Sequence, residues 1–432
     1  MNFSSLLAQN RATLKLLFVG LLSLAMSFPL LLVRSVISER QDLQYSAEQT
    51  ITGRWGKSQT VGGLVAIVRT PHVHADRRSM EANMQWRAGL LSESSISAVL
   101  TTQWRYLGIY EVPVYTVKVR MTGRIDWEKV NDLQPEGDLL FWLPLGDLRG
   151  VREVSPVTMG SLELTASPMS VMPETYTGLQ FSVPAAMREQ LPETYGLEIA
   201  LAGSRSLQFL PLADSTLVEL ATDWPHPEFI GQFLPAERKI ETDGSWASWK
   251  LLGLNRPYRN QWLLSDMSDQ QLRSSGFGMR LETPVDGYQR SERSVKYGLL
   301  FITLTFFTLF LFEVLTGRPL HPVPYILTGA ALAVFYLILL ALSEYLPFSK
   351  SFALAAGLLL LISTAYTGVV LGGRNRGFLV GTMMGFTYGL LYILVSAQHL
   401  SLLLGSLSLL VAIALLMYLT RNVDWYDYGK GE

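Results

Sequence analysis

The 432-residue chain contains no cysteine. Disulfide staples, CxxC redox pairs, thiolate zinc ligands and thiol nucleophiles are thereby excluded, so an exported domain has to be held by its own core. Charge is scarce in one region. Between Tyr297 and Thr420 the charged residues are Glu313, Arg318, Glu344, Lys350, Arg374 and Arg376 alone, whereas residues 34–296 are richly charged. The first composition suits a bilayer and the second suits water. No Lys/Arg cluster in the soluble part could neutralise a row of phosphates, so nucleic acid is not an expected partner. No HExxH helix, GxSxG elbow or other short catalytic signature occurs either, which removes any specific reason to expect an enzyme.

An α-helix rises about 1.5 Å per residue, so roughly 20 apolar residues cross a hydrocarbon core. Six segments satisfy this: 16–33, 297–317, 323–343, 351–373, 378–397 and 400–420. The first contains "AMS" at 25–27, which loosely resembles a signal-peptidase site, and cleavage there is the rival reading. The apolar run nevertheless continues through "FPLLLV" to Arg34, longer than a signal-peptide core of about 7–15 residues, which favours a retained anchor. Basic residues in short loops set orientation. A cytoplasmic N-terminus places Arg11, Lys15, Arg318, Arg374, Arg376, Arg421 and Lys430 on that side, against Lys350 on the other. The expected fold class is a polytopic α-helical membrane protein with a large, predominantly β extracytoplasmic domain inserted between the first and second transmembrane helices. Residues 1–15 and 421–432 would be cytoplasmic, 34–296 periplasmic, and 297–420 a five-helix bundle.

The inserted region carries runs rich in β-branched and aromatic residues at 61–70, 112–125, 138–145, 178–184 and 195–212. In "VYTVKVRMTGRI", Val117, Val119 and Met121 alternate with Lys118, Arg120 and Thr122, as a half-buried strand requires. Gly and Pro punctuate these runs, and one antiparallel domain or two packed sandwiches would fit the length. The polar stretch 38–51 reads as a helix continuing from the first membrane segment.

Candidate chemistry is sparse. In "TGRWGKS" (52–58), Gly56, Lys57 and Ser58 match the end of a phosphate-binding loop, but Ile51 stands where its first glycine is required, so a polar turn is expected. His72 and His74 share one side of a strand in "HVH", yet two imidazoles make a poor metal site, and His226 would be a third ligand only by long-range folding. His226 lies in "TDWPHPEFIGQFLPAERKI" (222–240), between Pro225 and Pro227 and after Trp224. It is read as a hydrogen-bonded structural residue, followed by a short amphipathic turn formed by Phe229, Ile230, Phe233 and Leu234 before Pro235. Catalytic, cofactor and metal sites are all expected to be absent.

Glu313 and Glu344 are the only acids in the apolar bundle. Their places near opposite helix ends suggest interfacial or interhelical anchoring, with an ion or proton pathway as the alternative. Gly377, Gly381, Gly385 and Gly389 recur every fourth residue and form a packing seam, directed at a neighbouring helix or at a second copy of the chain.

The stretches "WPHPEFIGQFLPAER" (224–238), "VKYGLLFITLTFFTLFLFEVLTGRPLHPVPYILTG" (295–329), "FYLILLALSEY" (335–345) and "LTRNVDWY" (419–426) resemble the CreD family of inner-membrane, cell-envelope-integrity proteins. That resemblance implies association with a two-component stress regulon and with altered colicin and β-lactam tolerance. It implies no catalytic residue or cofactor. Expected partners are the lipid bilayer, envelope proteins and, through the glycine face, a second copy. A transporter or flippase-like protein using the helical bundle is the alternative function.

Overall fold

The computed structural model describes residues 11–71, 84–133, 139–169, 177–184, 192–266, 269–282, 287–316, 320–397 and 401–421. In it the first apolar run is helical but interrupted: α1 covers Arg11–Ala25 and α2 covers Ser27–Trp55. Pro29 explains the break, because its ring crowds the carbonyl four residues earlier and it has no N–H to donate. The chain turns at Met26, and the Leu30 N–H reaches the Met26 carbonyl at a long 3.4 Å. The polar stretch 38–51 lies within α2 as expected.

The chain divides into a helical unit, Met1–Gln44 with Val285–Glu432, and a β unit, Tyr45–Pro284. Beyond α1 and α2 the helical unit contains α3 (Gly287–Thr316), α4 (Pro322–Ser343), α5 (Phe348–Val370), α6 (Arg374–Ser396) and α7 (Ser401–Thr420). Among the described residues five helices are long and apolar enough to cross a membrane, the first running from Leu14. The remaining expected span coincides with α7. Leu17, Leu24 and Phe28 near the N-terminus, Leu361 and Val369 on α5, and Phe378 and Phe386 on α6 are each more than half exposed. Apolar area exposed to water costs about 25 cal/mol per Å². Lipid removes that cost.

Within the chain the close part of the glycine seam is only half as long as the sequence period suggests. A Cβ at Gly377 would stand 2.5 Å from the Gly368 Cα, and one at Gly381 would stand 2.1 Å from Thr364 Oγ1, both on α5. At Gly385 the nearest atom is 3.7 Å away, and at Gly389 nothing lies within 4 Å. Equal spacing along one helix therefore does not mean equal packing: α5 offers a glycine and a threonine opposite the first two positions only.

The β unit begins with β1 (Gln59–Gly62), β2 (Val65–Pro71), β3 (Met84–Leu107), β4 (Tyr110–Arg124) and β5 (Leu139–Pro144). β3 is the organising strand. Its first part pairs with β2 (Val65↔Leu90 to Pro71↔Met84), and its second pairs with β4 from Glu93↔Arg124 to Leu107↔Tyr110. The hairpin closes over Gly108 and Ile109, with Gly108 at φ 61°, the conformation that a two-residue loop needs and glycine supplies without strain. On β4, Val117, Val119 and Met121 are buried while Lys118, Arg120 and Thr122 are exposed, as the alternation requires. Strand Thr194–Ser204 extends this sheet beside β4, and Ala213–Thr222 joins its other side, parallel to β3.

Two features differ from expectation. The sheets are mixed rather than antiparallel, since β1 also runs parallel to strand Ser206–Leu210. The run 195–212 is two strands in different sheets, divided at Arg205, the one non-glycine residue with positive φ (62°) among those described. The second sheet, with β1 at one edge, contains Ser206–Leu210, Phe277–Leu281 and Pro227–Gly231. Phe209, Trp249 and Phe277 are buried, and the Phe277 ring contacts the other two.

Replacing Gly377 or Gly381 with leucine drives a side chain into α5. Overpacking of this kind costs about 1–3 kcal/mol or more, so both variants should give less folded protein and lower thermal stability in detergent. Gly389→Leu should match the parent.

Candidate functional site

Glu313 stands in the last turn of α3, where the sequence suggested access to headgroups or water. It is instead 1% exposed. Lys15 of α1 pairs with its Oε1 and also donates to the Leu320 carbonyl at 2.7 Å, while the Tyr325 hydroxyl donates to Oε2 at 3.0 Å. Tyr325 is placed by the start of α4, where Pro322 sits at N1 and the His321 imidazole accepts from the Val323 N–H. Phe18 and Phe306 meet its ring edge-on, fixing the direction of the hydroxyl.

The arrangement follows from charge. A carboxylate at a helix C-terminus faces the negative end of its own macrodipole, whereas the positive end of α4 and the Lys15 ammonium favour it. Inside an apolar bundle an unpaired carboxylate is costly, and pairing supported by a second hydrogen bond offsets that cost. Chemically the cluster is a charge-assisted clasp of three helices.

Glu344, the C-cap of α4, forms the counterpart. Arg40 of α2 lies 3.5 Å from its Oε1 and the Tyr288 hydroxyl of α3 donates to it at 3.4 Å; its side chain is 11% exposed. Arg34 and Glu292 add a more exposed pair at 3.7 Å. Both acids thus connect the N-terminal helices to the later ones. The structure does not bring Glu313 and Glu344 together. Lys15, counted in sequence only as an orientation marker, is the partner of Glu313 that local reading missed; a cation at the very start of an apolar run was the available signal. Deeper in the bundle, Tyr336 of α4 and Tyr388 of α6 are fully buried, and Phe335 packs edge-on against both.

The other sequence candidates lie in the β unit. His226 is exposed, and it is its carbonyl, not its imidazole, that is engaged, accepting from the Trp224 indole N–H at 3.1 Å. The same N–H reaches the Glu282 carbonyl at 3.2 Å, and the Trp224 ring packs against Trp104. The expected amphipathic turn after it is an edge strand, Pro227–Gly231, paired with Phe277–Leu281. Two prolines impose extended backbone, and proline is tolerated as the first residue of an edge strand. Phe229 and Phe233 nevertheless pack on the core, against Trp249 and Phe277. Gly56 closes the turn after α2 at φ 152°, its Ser58-side neighbour Lys57 donating its backbone N–H to Asp147. His72 and His74 lie outside the described residues.

The CreD family model, described as inner membrane protein CreD, matches residues 11–426. The chain belongs to the CreD family. It is 28% identical over 422 residues to the inner membrane protein CreD of Escherichia coli (strain K12), covering 94% of this chain and 92% of that protein. The match includes the stretches around Glu313, Glu344 and Trp224, so these features belong to a CreD-family inner membrane protein with several membrane-spanning helices.

Breaking a buried ion pair by removing one partner costs about 3–5 kcal/mol, whereas replacing both members with apolar groups is often neutral. Glu313→Ala should therefore destabilise the protein strongly, and adding Lys15→Met to Glu313→Leu should recover most of the loss. Thermal unfolding in detergent measures both.

Proposed function

We propose that this CreD-family protein is a non-catalytic support or sensor of the cell envelope, with both termini cytoplasmic and the β unit in the periplasm. The pairing of Glu313 with Lys15 and Tyr325 carries this reading. In a transport pathway an intramembrane acid has to exchange protons or ions with water. Here both intramembrane acids hold helices together, which favours a mechanical scaffold over a transporter. The same clasps bind the N-terminal helices to the rest of their unit, which supports a retained anchor over a cleaved leader. The placement of basic residues supports the orientation.

On this reading the β unit is the part that meets other envelope components, and the stress-regulon role is the one that the family resemblance implies. Complementation tests it. A chain in which Lys15→Met and Glu313→Leu occur together should restore β-lactam tolerance as fully as the parent in a host lacking its own copy. Loss of tolerance with normal folding and insertion would favour transport instead. The natural absence of cysteine makes topology directly measurable. Lys350→Cys should react with a membrane-impermeant maleimide in intact spheroplasts, and Arg421→Cys only after lysis; the reverse pattern would overturn the orientation.

A further inference from the structure

The segment "TGRWGKS" (52–58) lacks the first glycine of a phosphate-binding loop, yet the fold gathers cations around it. Trp55 ends α2, and its indole N–H donates to the Tyr115 carbonyl of β4 at 3.1 Å. The chain then turns at Gly56, where a Cβ would stand 2.5 Å from the Ala202 carbonyl oxygen, so the backbone runs directly against strand Thr194–Ser204. The indole is fixed by both contacts. The Arg105 guanidinium of β3 stands over its ring, with the central carbon 4.3 Å from the centroid, and that of Arg152, from strand Val151–Val154, stands over it at 5.1 Å. Three segments far apart in sequence meet at one ring.

Both arginines are exposed, and among the described residues neither is paired with a carboxylate. Arg105 Nη2 donates to Gln103 Oε1 and Arg152 Nη2 to the Trp55 carbonyl, each at 3.2 Å, and the other donors of the two groups have no protein acceptor among those residues. Arg54 and Lys57 flank Trp55 in the chain and are exposed as well. Neighbouring acids are engaged elsewhere. Asp147 pairs with Arg149 at 3.0 Å, and Glu153 lines a hollow together with Lys118 and Arg120. Glu111 stands opposite Tyr106, so strand alternation puts it on the other face of the hairpin from Arg105. In residues 34–296, where acids outnumber Lys and Arg, this is a local excess of positive charge.

The ring holds these like charges near one another, since each guanidinium gains a cation–π contact with it. Stacking uses the flat faces of the guanidinium groups and leaves their N–H edges open, and those edges are what bind oxyanions in fork geometry. A carboxylate has two oxygens and one charge, which match a single fork. A phosphate monoester has three strong acceptor oxygens and a charge of about −1.5 to −2, which match two forks and more than one cation. We propose that Trp55, Arg105 and Arg152 form a binding site for a phosphate group, with Arg54 and Lys57 adding attraction at longer range. The group could arrive on a soluble molecule or on a lipid headgroup, and the same atoms recognise both.

The test uses the full chain in neutral detergent, with inorganic pyrophosphate as the probe and acetate at matched ionic strength as the carboxylate control. Calorimetry and thermal shift are read for the parent, for the double variant Arg105→Gln with Arg152→Gln, and for Arg280→Gln, which removes an equally exposed charge that Glu228 already pairs. Pyrophosphate should bind the parent saturably and at least about tenfold more tightly than acetate. The double variant should lose about tenfold or more of that affinity while Arg280→Gln keeps it. No saturable binding to the parent, acetate binding as tightly as pyrophosphate, or an equal loss in Arg280→Gln overturns the proposal. The parent titrations decide by themselves should the double variant melt early. Phosphatidate in mixed micelles separates the two sources: competition with pyrophosphate in the parent supports the site with a lipid headgroup as its ligand, and undisturbed pyrophosphate binding supports it with a soluble one.

Discussion

A carboxylate inside an apolar helical bundle has to be neutralised or paired, and that constraint organises the helical unit. The Glu313 pair with Lys15 brings α1 against α3, and Tyr325 adds α4 through the second carboxylate oxygen. Lipid supplies no hydrophobic force between helices, so their relative placement depends on close packing and on polar contacts. The α5–α6 contact uses the first means, with Gly377 against Gly368. The α1–α3–α4 contact uses the second. The two devices divide the unit between them, because an apolar seam specifies closeness and a charged pair specifies register.

What the sequence made legible followed from local pattern. The apolar spans, the alternating face of β4 and the helical continuation through 38–51 each depend on residues adjacent in the chain. What was illegible depended on residues far apart. Glu313 read as an interfacial or interhelical anchor, but its partner was not visible, because Lys15 lies 298 positions away. Arg205 gave no warning of the break between two strands, since arginine carries no turn signal, although Leu281 donates its N–H to the Arg205 carbonyl and fixes the bend. The 24-residue β3 escaped notice for a related reason: its two parts serve different neighbours, and serines and charges on its outer face obscure the apolar alternation.

The stretch 222–240 shows how a distinctive motif can mislead about chemistry while being correct about constraint. Tryptophan and two prolines do fix the backbone around His226. The fixed group is the carbonyl under the Trp224 indole, and the imidazole is left at the surface. Rigidity was legible from residue types, but which atom the rigidity served was not, because that depended on Glu282, Trp104 and Ser245 arriving from other strands.

Buried polar groups occur in both units. In the helical unit the carboxylates that sequence singled out are matched by cations and phenols, and matched groups make poor exchange sites. In the β unit the hydroxyl-bearing residues Ser94, Thr216 and Tyr195 share one row on the core face of the sheet, held in place by strand register. Backbone pairing fixes the positions of Ser94, Thr216 and Tyr195, whatever their side chains bond to.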